Sequence, residues 1–432
     1  MCFNYFPIKE KTVTEMEYNE AIEYLNGFTK SGVPIKNLSR FRGLMAALDN
    51  IQDKLKYIHV AGTNGKGSVC EYTALALEYS GYKAGKFTSP YINRVEERIQ
   101  INGAPISESD LAFYISKVKE AADKTGCTDY SQFEILNAAA FLYFYDKKCG
   151  ITVLETGIGG LLDCSNIIDP VLSIITTVDL DHCAILGDTP EKIARHKAGI
   201  IKPKRPVVLS PFQYDEVIRV IREKAAETGS RLIIPDSEEL KLIKADLNGT
   251  EFLYKGKRFT VGMCGGHQMI NASAAIEAMR ELGIREEYIE AALRNAAVPA
   301  RMEKRGGFII DGAHNVSGAK AAAELIGGSN GKKTLIVGML KSKDYKGALA
   351  VLLPVFDRVI AVDFFSPDAV KSEKISALAK SVGCETVTAD NGEDALRKAC
   401  ETEADLRMIC GSLYLCGMMR GKLTKNEETT QG

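Results

Sequence analysis

The run His59-Val60-Ala61-Gly62-Thr63-Asn64-Gly65-Lys66-Gly67-Ser68 combines the residue types that cradle nucleotide phosphates. Glycines let a backbone turn tightly and aim its N–H groups at phosphate oxygens. Lys66 adds a point charge for the outer phosphates, and a helix beginning near Ser68 presents its positive end to the same spot. The common loop of this kind has Ser or Thr directly after the lysine; here Gly67 intervenes, so the loop is a variant. A plain glycine-rich turn carrying a chance lysine is the bland alternative.

Other segments place polar groups just past apolar runs. Glu155 enters the glycine-rich stretch Thr156-Gly157-Ile158-Gly159-Gly160-Leu161-Leu162-Asp163, where a carboxylate beside a phosphate loop is placed to hold Mg²⁺; a structural salt bridge is the competing reading. Asp179-Leu180-Asp181-His182 suggests a metal site or an acid/base group. In Thr88-Ser89-Pro90, Ser89 is either a metal ligand or the cap of a turn. Asp311-Gly312-Ala313-His314-Asn315 repeats the theme farther along, with a glycine turn and a surface His314 as its plain reading. Lys197, within Ile193–Ile201, by itself reads as an ordinary helix-surface lysine.

The elements that must position these groups alternate between apolar strand-like runs and amphipathic helices, the mark of a mainly parallel α/β architecture. Strands are expected at Tyr57–Ala61, Ile151–Glu155, Leu172–Thr176 and Pro206–Leu209, with helices at Ser68–Ser80, Ser107–Ala122, Glu134–Lys147 and Pro190–Ile200. Arg231–Tyr254, with a turn at Asp246-Leu247-Asn248-Gly249, reads as a small β excursion. The pattern restarts near Ala296-Ala297-Val298-Pro299, which divides the chain into a first domain, 1–296, and a smaller doubly wound one, 297–432. In open α/β sheets ligands sit at the carboxyl ends of the strands, where the polar segments fall.

A chain of 432 residues suits two domains. The net charge of −1, with both signs interspersed, argues against a general nucleic-acid binder but not against local anion sites. No run approaches the roughly 18 apolar residues of a membrane span, and Met1–Tyr18 lacks the apolar core of a leader. Eleven cysteines without CxxC pairs, among them Cys149, Cys410 and Cys416 in apolar runs, read as reduced thiols of a cytoplasmic protein. The tail from Lys422 to Gly432 is polar and expected to fray.

Nine segments, HVAGTNGKGSV, FTSPYINRVEERIQING, QFEILNAAAF, LETGIGGLLDCSNII, DHCAILGDTPEKIARHKAGIIK, GGHQMINASAA, RMEKRGGFIIDGAHN, VGMLKSKD and CGSLYLCG, occur in an order that resembles the folylpolyglutamate synthase/dihydrofolate synthase family of the Mur ligase superfamily. The similarity runs from the N-terminal helices to Arg420. It implies a P-loop-containing doubly wound sheet followed by a smaller Rossmann-like domain, and a monomeric ATP-dependent ligase that adds L-glutamate to reduced folates and to dihydropteroate through an acyl phosphate. By the same resemblance Asn64, Gly65, Lys66, Gly67 and Ser68 hold the ATP phosphates. Ser89, Glu155 and His182 ligate Mg²⁺, and Lys197, carbamylated by CO₂, helps hold a second Mg²⁺; K⁺ is an optional addition. Asn271 meets the adenine region, Arg301 and Asp311 reach the nucleotide from the second domain, and His314 lies near the reacting phosphate. Ser131 and Asp163 line the pterin pocket.

Three departures stand out. Leu161 occupies a position where the family often has arginine, removing a donor near the pterin pocket. His196 replaces a common Glu, and Ala300 a common Gly. A monofunctional folylpolyglutamate synthase, a cell-wall Mur ligase with the same chemistry, and a non-catalytic nucleotide-binding module remain the alternatives.

Overall fold

The structure, a computed structural model, describes residues 15–28, 37–364 and 366–430, with side chains through Leu423. Most of the Met1–Tyr18 segment, and Gln431 and Gly432 of the tail, lie outside the described residues. Among the described residues no helix is long and apolar enough to cross a membrane. Ten cysteines are described and all are free, with Cys410 and Cys416 buried and Cys149 partly exposed.

The first sheet contains β1 (Tyr57–Ala61), β2 (Ala84–Phe87), β3 (Ile99–Ile101), β4 (Ala104–Pro105), β5 (Ile151–Glu155), β6 (Leu172–Ile175), β7 (Val207–Leu209) and β8 (Leu232–Ile233), in the order β4-β3-β2-β5-β1-β6-β7-β8. It is parallel except for β3 and β4 at one edge. Every residue of β1 and β5 is buried, as expected of central strands covered by helices on both faces. β1 lies between β5 and β6, with Val60 opposite Glu155 and Ala61 opposite Ile175. The chain leaves β1 for β2 on one side and reaches β6 on the other, so the loops after β1, β5 and β6 open at one switch point.

The expected strands and helices are present with small shifts at their ends, and one reading is corrected. The β excursion does not begin at Arg231: Leu232 and Ile233 pair with β7 and extend the main sheet. The excursion is β9 (Leu240–Asp246), β10 (Gly249–Tyr254) and β11 (Lys257–Val261), an antiparallel meander with its turn at Asp246–Gly249 as expected.

The second, smaller sheet has β12 (Glu303–Arg305), β13 (Phe308–Asp311), β14 (Lys333–Val337), β15 (Arg358–Val362), β16 (Glu385–Ala389) and β17 (Leu406–Cys410), in the order β12-β13-β17-β14-β15-β16. Only β12 runs antiparallel. The final helix, Leu413–Thr430, keeps a helical backbone through most of the tail expected to fray. It also joins the two units. Gly417 lies directly against the Ile92 carbonyl, and Ile92 packs on the apolar cluster that includes Leu415, Met419 and Leu423.

A side chain at position 417 has no room, whereas one at Gly421 would meet nothing nearer than Asn93 Nδ2 at 3.6 Å. Gly417→Val is therefore expected to cost about 1–3 kcal/mol of stability by overpacking, and Gly421→Ala, one turn on, should cost well below about 1 kcal/mol. Denaturant titration of both variants checks the contrast.

Candidate active site

The loop after β1 is shaped by what it must avoid. A Cβ on Gly62 would collide with Thr176, and one on Gly65 with the Asn271 side chain; Gly65 also sits at φ 86°, which favours glycine. Thr63 locks the loop to its neighbour: its hydroxyl donates to Asp179 O at 2.9 Å and accepts from Asp179 N–H at 3.0 Å. The helix Lys66–Tyr79 starts at once, so its first N–H groups face the turn. Lys66 Nζ lies back over the loop, donating to Gly62 O at 3.2 Å and Thr63 O at 3.3 Å.

Glu155 closes β5 at 3% exposure. Its Oε2 accepts the Ser89 N–H at 2.9 Å, and Oε1 stands 3.9 Å from Lys66 Nζ. Burial pushes its carboxyl upward, opposed by Lys66, the Ser89 amide, Arg301 and Arg98. After β6, His182 takes a left-handed conformation at φ 50° and stands 3.8 Å from the Asp181 carboxylate. Burial holds its imidazole below the usual range despite Asp181, with Lys343, Lys66 and Lys197 reinforcing the shift.

Lys197 is not the surface lysine its local sequence suggested. The helix Pro190–Ala198 buries Ile193, Ala194, Lys197 and Ala198 along one face, and Lys197 is 2% exposed. Among the described residues its amine has no hydrogen-bond or ion-pair partner. Burial, reinforced by Lys66, drops its pKa well below the usual lysine range. Lys66, Gly157, Gly159, Asp181, His182 and Lys197 line one small pocket together with Gly62 and Thr63.

From the second unit, Asp311 at the end of β13 accepts Met302 N–H at 2.9 Å and Ala313 N–H at 2.8 Å, fixing the turn that carries Arg301. That turn holds Ala300 and Met302 at φ 53° and 50°. His314 Nδ1 is 2.8 Å from Gly312 O, so Nδ1 carries the proton and Nε2 is left with a free lone pair. Burial lowers its pKa. Lys343, in the loop after β14, reaches Asp181 Oδ1 at 3.4 Å and bridges the two units.

Three expected positions turn inward. Asn271 packs on Gly65 and donates to Gln268 Oε1 at 3.1 Å, supporting the loop from beneath. Ser131 caps the helix Gln132–Asp146, its hydroxyl donating to Glu134 Oε2 at 2.8 Å. Asp163 holds the glycine loop: Oδ2 accepts Gly157 N–H at 2.8 Å and Ile158 N–H at 3.1 Å, while Oδ1 accepts the Ser165 hydroxyl at 2.5 Å. Ser131 and Asp163 thus set the walls on which Phe133 and Gly157 meet.

The sequence reading left Lys343, Arg98 and His59 without roles. All three lie inside segments it had singled out, so the signal available was a polar residue within a motif. Since the Ser165 proton goes to Asp163, His59 Nε2–H donates to Ser165 Oγ at 2.9 Å, and Nδ1 is buried without a partner. His59 thereby orients Asp163 from within β1.

Residues 60–279 match the Mur ligase middle domain family, and residues 296–422 match the dihydrofolate synthetase C-terminal domain family. A dihydrofolate synthase/folylpolyglutamate synthase from Bacillus subtilis is 33% identical, over 94% of this chain and 99% of that protein. The chain belongs to the folylpolyglutamate synthase/dihydrofolate synthase family of Mur ligases. Folylpolyglutamate synthase from Thermotoga maritima superposes with a TM-score of 0.83 at 31% identity, over 95% of this chain and 97% of that one. E. coli FolC in complex with DHPP and ADP superposes with a TM-score of 0.83 at 25% identity, over 95% and 99%. Family membership makes the protein an ATP-dependent ligase.

Burial pushes the His59 imidazole down to about 3. Its folded pKa lies below the unfolded value of about 6.5, so its contribution to stability is complete above pH 6.5 and drains as pH falls toward 3. Histidine ¹⁵N NMR should show His59 as a neutral Nε2–H tautomer from pH 8 to pH 5; titration near 6.5 would contradict the hydrogen-bond chain.

Proposed function

We propose that this protein joins L-glutamate to the free carboxylate of reduced folates, and of dihydropteroate, at the expense of ATP. The observation that carries the reading is the convergence of Lys66, Glu155, His182 and Lys197 beside a phosphate-type loop, in a chain of this family.

A carboxylate resists an amine because its charge is delocalised and an oxide is a poor leaving group. A substrate carboxylate oxygen attacks the γ-phosphorus of ATP, forming an acyl phosphate and releasing ADP. The glutamate amine then attacks the acyl carbon; the C–O bond breaks, phosphate departs with that oxygen, and the amine loses a proton as the amide forms. The fold supplies positioning and charge. The loop N–H groups and Lys66 meet the charge that spreads over the transferred phosphoryl group, worth several kcal/mol for well-aimed donors. Arg301 and His314 approach from the second unit, and His314 Nε2 can accept a proton at the reacting centre.

Among the described residues no three His, Cys, Asp or Glu side chains gather as a metal group. That suits Mg²⁺, which takes few protein ligands and completes its shell with phosphate and water. Glu155 Oε1, Ser89 Oγ and His182 would hold it, and bound there it would neutralise phosphate charge. The buried, unpartnered amine of Lys197, whose charged form burial disfavours, can in its neutral form add to CO₂, forming an N–C bond and losing a proton; the carbamate gives an anion for a second Mg²⁺. The family resemblance adds K⁺ and a monomeric state to this reading, the reduced thiols add a cytoplasmic location, and the restart of the pattern near Ala296 divides the chain into an ATP-binding central domain with N-terminal helices, 1–296, and a C-terminal α/β ligase domain, 297–432.

Phosphate release with Mg·ATP and L-glutamate, with products weighed by mass spectrometry, should occur with tetrahydrofolate and with dihydropteroate offered separately. Turnover with tetrahydrofolate alone would make the protein a monofunctional synthase, and silence with both would overturn the reading. Lys197→Ala is expected to cut kcat about 100-fold or more while nucleotide still binds. A ¹³C carbamate signal from labelled bicarbonate should be present in the parent protein and lost in that variant.

A further inference from the structure

Arg98 ends the short turn of helix Val95–Arg98, one residue before β3. The segment from Thr88 to Arg98 closes on itself, with Thr88 N–H donating to Arg98 O at 3.0 Å, so Ser89 and Arg98 leave the same small loop. The guanidinium lies over two rings, 5.3 Å from the centroid of Tyr91 and 5.9 Å from that of Phe133. Among the described residues it makes no hydrogen bond or ion pair, and its Nε is shut away from solvent with no acceptor.

Its neighbours are not left this way. Arg94 pairs with Glu96 at 3.0 Å, and Arg40 with Glu134 at 2.6 Å. The nearby carboxylates are committed: Glu97 accepts the N–H groups of Ile92, Asn93 and Arg94 at 2.7, 3.1 and 3.2 Å, and Glu155 serves Ser89 and Lys66. Burial lowers the pKa of Arg98, with only Tyr91, Glu155 and Tyr414 opposing. A half-buried guanidinium whose Nε is shut from water is costly without an anion, and its planar fork matches a carboxylate in two parallel hydrogen bonds. The Phe133 ring over which it lies abuts Gly157 of the pocket wall, with ring atoms 3.0 Å from where a Cβ would stand. Arg98 thus stands one aromatic ring away from the glycine loop.

We propose that Arg98 receives a carboxylate of the pterin-type substrate. This rests on the ligase reading above and names a specificity contact within it. Two carboxylates qualify: the one that is phosphorylated, present in dihydropteroate and folate alike, and the α-carboxylate of the terminal glutamate, present only in folates.

The test measures equilibrium affinity and turnover of Arg98→Met and Arg98→Lys. Arg98→Met should weaken tetrahydrofolate binding about 30-fold with the KM for ATP changed less than about threefold, and Arg98→Lys should recover part of the loss. Its Tm should not fall, because an unpaired desolvated charge has been removed. An equal loss for dihydropteroate assigns the phosphorylated carboxylate; dihydropteroate binding unchanged assigns the α-carboxylate. Unchanged folate affinity in folded Arg98→Met overturns the proposal, as does a parallel fall in ATP affinity, folate affinity and Tm. If the variants do not fold, the wild type decides: binding the amides of both carboxylates as tightly as the parent acid overturns the proposal. Failure of the ligase reading looks different, since wild-type protein would then release no phosphate with any folate.

Discussion

The site hangs from one buried carboxylate. Glu155 ends the strand beside β1, so its register with Val60 places it one residue below the phosphate-type loop. There it holds the Ser89 amide on one side and faces Lys66 on the other, joining loops from three strands. The surrounding charge is unbalanced. Lys66, Lys197, Lys343, Arg98 and Arg301 approach a centre whose nearby acids are Glu155, Asp181 and Asp311, and all three are partly consumed by backbone N–H groups. Burial disfavours the charged form of Lys197. A centre so built is completed by anions, which is what a nucleotide and a carboxylate substrate bring.

The second sheet contributes from across the gap. Asp311 spends its carboxylate on the turn that carries Arg301, between Ala300 and Met302 in the left-handed region. Lys343 reaches Asp181, and Gly417 seats the last helix on the loop that carries Ser89. The loops after β2 and β6 are therefore held in part by the smaller domain.

Much of this was legible in the residues because the strongest signals are local. β1, β5, β6 and β7 fall where apolar-rich runs put them. β8 was misplaced because the three apolar residues Leu232, Ile233 and Ile234 before Pro235 carry no period, and only pairing with β7 assigns the first two to the main sheet. Lys197 was misread although its spacing from Ile193 and Ala194, at four and three residues, sets it on the buried face of its helix. The inward turn of Ser131, Asp163 and Asn271 could not be read, since it depends on partners brought near by folding. The empty hand of Arg98 was hidden for the same reason: an arginine's lack of a partner is a property of the whole fold.

In this ligase a substrate carboxylate is activated by phosphorylation before glutamate attacks. Tetrahydrofolate labelled with ¹⁸O in its reacting carboxylate tests this directly. One labelled oxygen per turnover is expected in inorganic phosphate, carried off when the C–O bond breaks. Label confined to the folate product, with unlabelled phosphate, would contradict it.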